Sequence, residues 1–338
     1  MQDERSCRQP NLRPSRRAFI AASAAATACG GLGVRAAAAL DYPIKPVRVF
    51  VPYGPGGVGD LTMRLMADKL STELKQQFVI ENRPGAGGIM AMTEARRGRA
   101  DGYTLAEIGN GQAISASLFT KLPFDVLNDF VPVSVAASFE MLLAVPAGSP
   151  HTSLNDIVAA ARKNPGRLNL GAINPGSTQN LSAHLFEQVT GAQYTIVTYR
   201  TTPDLVTALL RGDVDLGFDY YAGFIGEIAS GKLRIIATSG NERDPLLKDV
   251  PTAKESGFPQ YVVTSWNGVA GPKGLPDEIA QALSTAITRG LAAPDIQEKA
   301  SRLGIQARGS TSQEMRERLV SDVAKWRQVI DKAGIPKQ

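Results

Sequence analysis

The chain has 338 residues, 43% of them hydrophobic and 20% charged, with two cysteines, two histidines and a formal net charge of +5. The basic excess sits in residues 1–39, which hold six arginines against Asp3 and Glu4; the rest carries 31 basic and 30 acidic side chains, so a nucleic-acid partner loses its electrostatic footing. Cys7 and Cys29 fall in the same stretch, which leaves the remainder with no disulfide framework, thiol nucleophile or cysteine metal site.

Residues 1–39 read as a twin-arginine-type signal peptide, with Ser15-Arg16-Arg17-Ala18-Phe19-Ile20 followed by a small apolar run over 21–28. That run is too weakly hydrophobic for an anchor, and Ala37-Ala38-Ala39 offers an A-x-A cleavage site, so the expected location is the periplasm. Cys29 follows Ala26-Thr27-Ala28, where a lipoprotein signal wants a larger apolar residue at Ala26. The 299 residues that remain are long enough for two lobes of ordinary domain size.

Short apolar strands then alternate with amphipathic helices, the pattern of α/β architecture. A strand over 47–51 leads into a helix over 60–74, a strand over 78–80, a helix over 89–97 and a strand over 103–106. Two consecutive strands, 131–136 and 141–145, mark a crossing into a second lobe. There, helices over 154–162, 179–190, 203–211 and 222–229 alternate with strands over 168–171, 194–199, 214–218 and 233–238. The chain returns to the first lobe around Trp266-Asn267-Gly268, and helices over 277–291, 295–303 and 312–333 close it. The expected organisation is a first lobe of 40–139 plus 265–338 and a second of 140–264, joined by two crossings that can hinge.

The loop Pro52-Tyr53-Gly54-Pro55-Gly56-Gly57-Val58-Gly59-Asp60 joins the first strand to the first helix. Gly54-x-Gly56-x-x-Gly59 has the spacing of a dinucleotide fingerprint, with Glu81 at the end of the next strand, so an exported NAD(P)-dependent oxidoreductase is one reading. Pro55 removes a backbone donor from that loop, and Asp60, placed at the helix N-cap, would occupy free N–H groups and repel phosphate. The same glycines turn backbone N–H groups inward at a helix N-terminus, which suits a single carboxylate; a ligand-free tight turn is the plainer use. Asn174-Pro175-Gly176-Ser177-Thr178 repeats the device in the second lobe, and Tyr199-Arg200-Thr201-Thr202-Pro203 places Thr202 as N-cap with Pro203 in the first turn. Three helix N-termini can therefore face one cleft.

These residues resemble the Bug (TctC-like) extracytoplasmic solute-binding receptors of tripartite tricarboxylate transporters, across essentially the whole chain after the leader. The resemblance rests on Pro52-Tyr53-x-Pro55-Gly56-Gly57-x-x-Asp60, Val79-Ile80-Glu81-Asn82-Arg83-Pro84-Gly85-Ala86-Gly87-Gly88, Asp101-Gly102-Tyr103-Thr104-Leu105, Gly212-Asp213-Val214-Asp215, Val250-Pro251-Thr252 and Trp266-Asn267-Gly268, in that order. It implies a two-lobe type II periplasmic-binding-protein fold with a ligand cleft between the lobes, and no catalysis. It also implies a small organic carboxylate held mainly by backbone groups, with the permease subunits of such a transporter as partners. The ligand-binding residues it implies are Tyr53, Gly56, Gly57, Val58 and Asp60 from the first loop, Asn174, Gly176 and Ser177 from the second, and Asn110, Gly111, Tyr199, Thr201 and Asp219 around the far end. A ligand-binding co-receptor for a sensor kinase is a further reading of the same fold.

Family members often read Gly-Ser-x-x-His-Leu in the second loop, where this chain has Gly176-Ser177-Thr178-Gln179-Asn180-Leu181, and Thr201-Thr202 stand where glycines are common. Both threonines narrow the pocket and add hydroxyls. His151 reads as an exposed loop residue and His184 as a packed helical one; no metal ligand set, nucleophile elbow or phosphate loop is present, and no cofactor is expected.

Overall fold

β1 (Val47–Val51) buries Val47, Val49, Phe50 and Val51 and leaves Arg48 exposed, as a strand covered on both faces should. It lies between β2 (Phe78–Asn82) and β3 (Thr104–Gly109), both parallel to it. α1 (Val58–Leu74) and α2 (Ile89–Arg96) supply the crossovers that parallel pairing demands. This computed structural model describes residues 41–85 and 88–338, so the expected leader and its expected cleavage site lie outside the described residues.

β3 pairs antiparallel with β9 (Thr264–Pro272), and β9 pairs antiparallel with β4 (Phe130–Pro146). β4 is one strand of 17 residues where the sequence pattern predicts two. Its pairing changes hands without a break: residues 130–140 face β9, and from Met141 onward the partners are β7 (Leu216–Tyr220) and β8 (Leu233–Thr238). Parallel pairing then extends from β7 to β5 (Asn169–Ile173) and on to β6 (Thr195–Tyr199). β10 (Gln306–Ala307) adds to the edge of β4 beside Ala137 and Ser138. The result is a mixed sheet in the order β2-β1-β3-β9-β4-β7-β5-β6, in which β4 passes from β9 to β7 and β8 after Glu140.

The helices follow their apolar spacing. α4 (Leu154–Lys163) buries Leu154, Ile157, Val158 and Ala161, one face of a 3.6-residue repeat, and opens on a capping box between Ser153 and Asp156. α5 (Thr178–Thr190), α6 (Thr202–Arg211) and α7 (Tyr221–Ala229) complete the second lobe. α6 is capped by Thr201, not by Thr202 as the sequence predicts; Thr201 Oγ1 accepts from Asp204 N at 3.3 Å. α3 (Asn110–Leu118) is a helix that the sequence pattern does not predict. Its Ala113, Ile114 and Leu118 share a core with α10 (Ser312–Ala333), which contributes Met315, Leu319, Val323, Trp326, Val329 and Ile330.

Three cores result. In the first lobe, Met63, Met66 and Leu70 of α1 join Leu283, Ile287 and Leu291 of α8 (Asp277–Leu291) over Val47, Val49 and Val51. α9 (Pro294–Ser301) adds Ile296 and Ala300. In the second lobe, Leu205, Leu209 and Phe224 pack on Leu142 and Ala144. The largest core crosses the lobe boundary, with α3, α5 and α10 meeting through Leu118, Leu181, Phe186 and Trp326. Each large side chain buried this way stabilises the fold by about 1.5–3 kcal/mol.

Candidate ligand-binding site

A cavity of about 620 Å³ lies where the two lobes meet. The loop after β1 supplies Tyr53, Gly56 and Gly57 to one wall, while Asn174, Gly176 and Ser177, between β5 and α5, supply the other. At Gly176 the backbone takes φ 76°, and a Cβ there would lie 2.4 Å from Leu118 Cδ2, so the loop reaches α3 only as glycine. Asn174 adopts φ 44°, a left-handed conformation that asparagine tolerates better than most residues, and its N–H donates to the Tyr199 carbonyl at 2.8 Å. The Tyr53 ring packs over Gly59, with its hydroxyl above Gly111.

First-turn and cap residues of five helices line the space: Gly57 and Val58 of α1, Gly111 of α3, Ser177 and Thr178 of α5, Thr202 and Pro203 of α6, and Tyr220, Ala222 and Gly223 around the start of α7. The first amides of a helix have no intrahelical acceptor and carry the positive end of its dipole. Among the described lining residues there is no Lys, Arg or His. Any positive potential the lining offers an anion therefore comes from backbone amides.

Its acidic groups are two. Asp219, on β7, is fully partnered: Oδ1 accepts from Gln179 Nε2 at 3.0 Å and from Tyr220 N at 2.8 Å, and Oδ2 from Thr202 Oγ1 at 2.5 Å. Burial raises its pKa above the usual carboxylate value, against the pull of those donors. Glu107, on β3, is wholly buried, and burial pushes its carboxyl up to about 8. Neither of its oxygens has a hydrogen-bond partner among the described protein atoms, and the same holds for Oδ1 and Nδ2 of Asn267 on β9. Tyr220 is pushed up to about 12, again chiefly by burial.

Nine of the residues expected at the site line the cavity: Tyr53, Gly56, Gly57, Val58, Gly111, Asn174, Gly176, Ser177 and Asp219. Four stand outside the lining. Asp60 is buried at the third position of α1, not at its N-cap, which is Gly57. There Asp60 accepts from Gly56 N at 2.9 Å, from Arg64 Nε at 2.9 Å and from Asn82 Nδ2 at 2.8 Å. Burial alone would raise its pKa; the bonds from Arg64, Asn82 and Gly56 outweigh it and hold the carboxyl below the ordinary range. Asp60 thus props the loop from behind. Asn110 is a clasp: its Nδ2 donates to Thr178 Oγ1 at 2.9 Å, and its Oδ1 accepts from Trp326 Nε1 at 2.8 Å, tying α3 to α5 and α10. Tyr199 is half-buried at the end of β6, and Thr201 is exposed; its neighbour Thr202 faces the cavity.

Thr178 closes the expected second loop, and Glu107, Phe139, Gln179, Tyr220, Ser265, Trp266 and Asn267 also line the cavity, which the sequence does not predict. Trp266-Asn267 was visible as a motif but read only as a lobe crossing. A lone glutamate inside the apolar run Leu105-Ala106-Glu107-Ile108 was the available signal for Glu107. Among the described residues no group of His, Cys, Asp and Glu is arranged to hold a metal ion, and no helix is long and apolar enough to cross a membrane.

Two lobes on a shared sheet, with helix N-termini meeting in the space between them, define a solute-binding receptor. The chain belongs to the family described as the tripartite tricarboxylate transporter family receptor, TctC, whose model matches residues 62–335. It is 30% identical over 305 residues to Protein BugT of Bordetella pertussis, covering 89% of this chain and 94% of that one. A solved structure of R. palustris Rpa4515 with adipate is 33% identical with TM-score 0.76, covering 88% of this chain and 99% of that one. MatC of Rhodopseudomonas palustris, solved with bound malate, is 28% identical with TM-score 0.72, covering 86% and 100%. The family is one of transporter receptors, and the similar solved structure of BugD is that of a periplasmic binding protein, so the oxidoreductase reading of the Gly54–Gly59 loop is set aside: this chain is a binding protein and not an enzyme.

Proposed function

We propose that the protein is a periplasmic receptor, exported through its twin-arginine leader, that captures a small organic carboxylate and presents it to the permease subunits of a tripartite tricarboxylate-type transporter. The observation that carries this reading is the meeting of five helix N-termini on a cavity lined by no cationic side chain among the described residues. Backbone amides bind a carboxylate without burying a compensating cation, and a hydrogen bond to a charged acceptor is worth roughly 1.5–3 kcal/mol. The lobes, 40–139 with 265–338 and 140–264, close on the ligand by bending where β4 passes between them, and the closed pair is what the permease reads. Adipate and malate in two relatives place dicarboxylates in the panel to be tried first.

The test is calorimetric titration of the protein lacking 1–39 against organic acids, beside its Gly57→Asp variant. A Cβ at Gly57 meets nothing within 4 Å, so a side chain can begin there without a clash, and its carboxylate repels the ligand's own. Saturable binding by one acid class, abolished in the variant, is the expected result. Equal affinity in the two proteins would remove the α1 N-terminus from the site. Cell fractionation of an Arg16→Lys/Arg17→Lys double variant tests the export route: the precursor should accumulate in the cytoplasm.

A further inference from the structure

Glu107 and Asn267 are polar side chains in a place where nothing in the protein answers them. Across the β3–β9 ladder Glu107 sits opposite Val269, and Asn267 lies two residues along, opposite Gly109. Residues offset by two on paired antiparallel strands share a face and stand within reach of one another. Both side chains are almost fully buried, at 0% and 2% exposure, and both line the cavity. Together they present three acceptors without a partner, Glu107 Oε1 and Oε2 and Asn267 Oδ1, beside one donor, Asn267 Nδ2. Asp219, across the cavity, has its oxygens taken up by Gln179, Tyr220 and Thr202.

Charge decides what fits there. The described lining has no cationic side chain, so a second ligand carboxylate placed here would meet the Glu107 carboxyl with nothing to offset its charge. An ammonium group brings three N–H donors and a positive charge to a cluster of three unanswered acceptors. We propose that Glu107 and Asn267 form an ammonium-binding subsite, and that the ligand of this receptor is an amine-bearing carboxylate whose carboxylate rests on the helix N-termini. This rests on the carboxylate reading above and narrows it. An unliganded Glu107 keeps its proton near neutrality because burial disfavours the anion, and an arriving ammonium supplies the charge that lets the carboxyl ionise.

The experiment titrates matched pairs into the wild type: glutarate against 4-aminobutyrate, adipate against 5-aminopentanoate, and glutarate against glutamate. At least one amine-bearing member is expected to bind tenfold or more tightly than its partner. In Glu107→Gln, a close isostere, the ratio of the two affinities should fall at least tenfold; Asn267→Ala should reduce it to a smaller degree and serves as the independent check. A dicarboxylate preferred to every amine-bearing counterpart would overturn the subsite and leave the carboxylate reading standing. So would an amine preference that survives in both variants. Binding by neither kind of acid would overturn both readings together.

Discussion

A buried carboxyl with no partner is a debt in the folded state, and its size can be worked out. The Glu107 carboxyl rises from 4.5 to about 8 on folding because burial disfavours its charged form. At pH 7.5 the native protein holds a proton that the unfolded chain has given up, and at about 1.36 kcal/mol per pH unit the difference comes to roughly 3–4 kcal/mol. The sign is that of a raised acid. Its contribution is favourable below pH 4.5, declines as the pH climbs toward 8, and is level beyond. Glu107→Gln cannot ionise and escapes the penalty, so at pH 7.5 the variant should be the more stable by roughly 3–4 kcal/mol, or roughly 5–10 °C in melting temperature. At pH 4.5 that advantage should shrink to under about 1 kcal/mol. Whatever the glutamine amide gains or loses in packing is common to both pH values and cancels in the comparison. Denaturant unfolding of the two unliganded proteins at both values reads the double difference. An equal difference at pH 4.5 and 7.5 would refute the reasoning, because it would mean that Glu107 ionises in the fold as readily as in water.

Asn110→Ala removes the bonds to both Thr178 and Trp326, and a loss of about 2–4 kcal/mol is expected in denaturant unfolding; an unchanged midpoint would show the clasp to be idle. Gly109→Ala would put a Cβ 2.3 Å from the Trp266 carbonyl oxygen, forcing β3 off β9 at a cost of about 1–3 kcal/mol in the same assay. Thr201→Ala should lower stability by about 1 kcal/mol through the lost α6 cap and leave ligand affinity as it was. Thr202→Ala, which removes the hydroxyl held by Asp219, should change affinity, and titration of the two variants side by side separates the roles.

Much of the fold is legible in local chemistry alone. The Leu154, Ile157, Val158 and Ala161 spacing marked α4, and Gly176-Ser177 marked a loop that does open on the cavity. What stayed hidden depended on distant partners. Asn110-Gly111 looks like a turn, and α3 is a helix because Ile114 and Leu118 pack against a helix two hundred residues later in the chain. β4 runs unbroken because β7 and β8 take over where β9 ends, which no window of sequence around 137–140 can reveal. Asp60 was misplaced by three positions, since Gly57 caps α1 with backbone alone. Asn267 comes into the lining by pairing with Gly109 of β3 and Trp266 by pairing with Ser138 of β4, relations between segments more than a hundred residues apart.

The placement of β9 also bears on how the molecule is made. β3 and the first part of β4 do not pair with each other in the finished sheet; β9 lies between them. Everything from Met141 to Val263 must leave the ribosome before the strand that joins them exists. The second lobe can find its own partners while the first waits with two open strand edges, which are templates for pairing with another chain. A newly made chain is therefore most exposed to misassembly in its N-terminal half, and a chaperone that shields 47–140 until residue 272 has emerged would do more for its yield than one that binds the C-terminal helices.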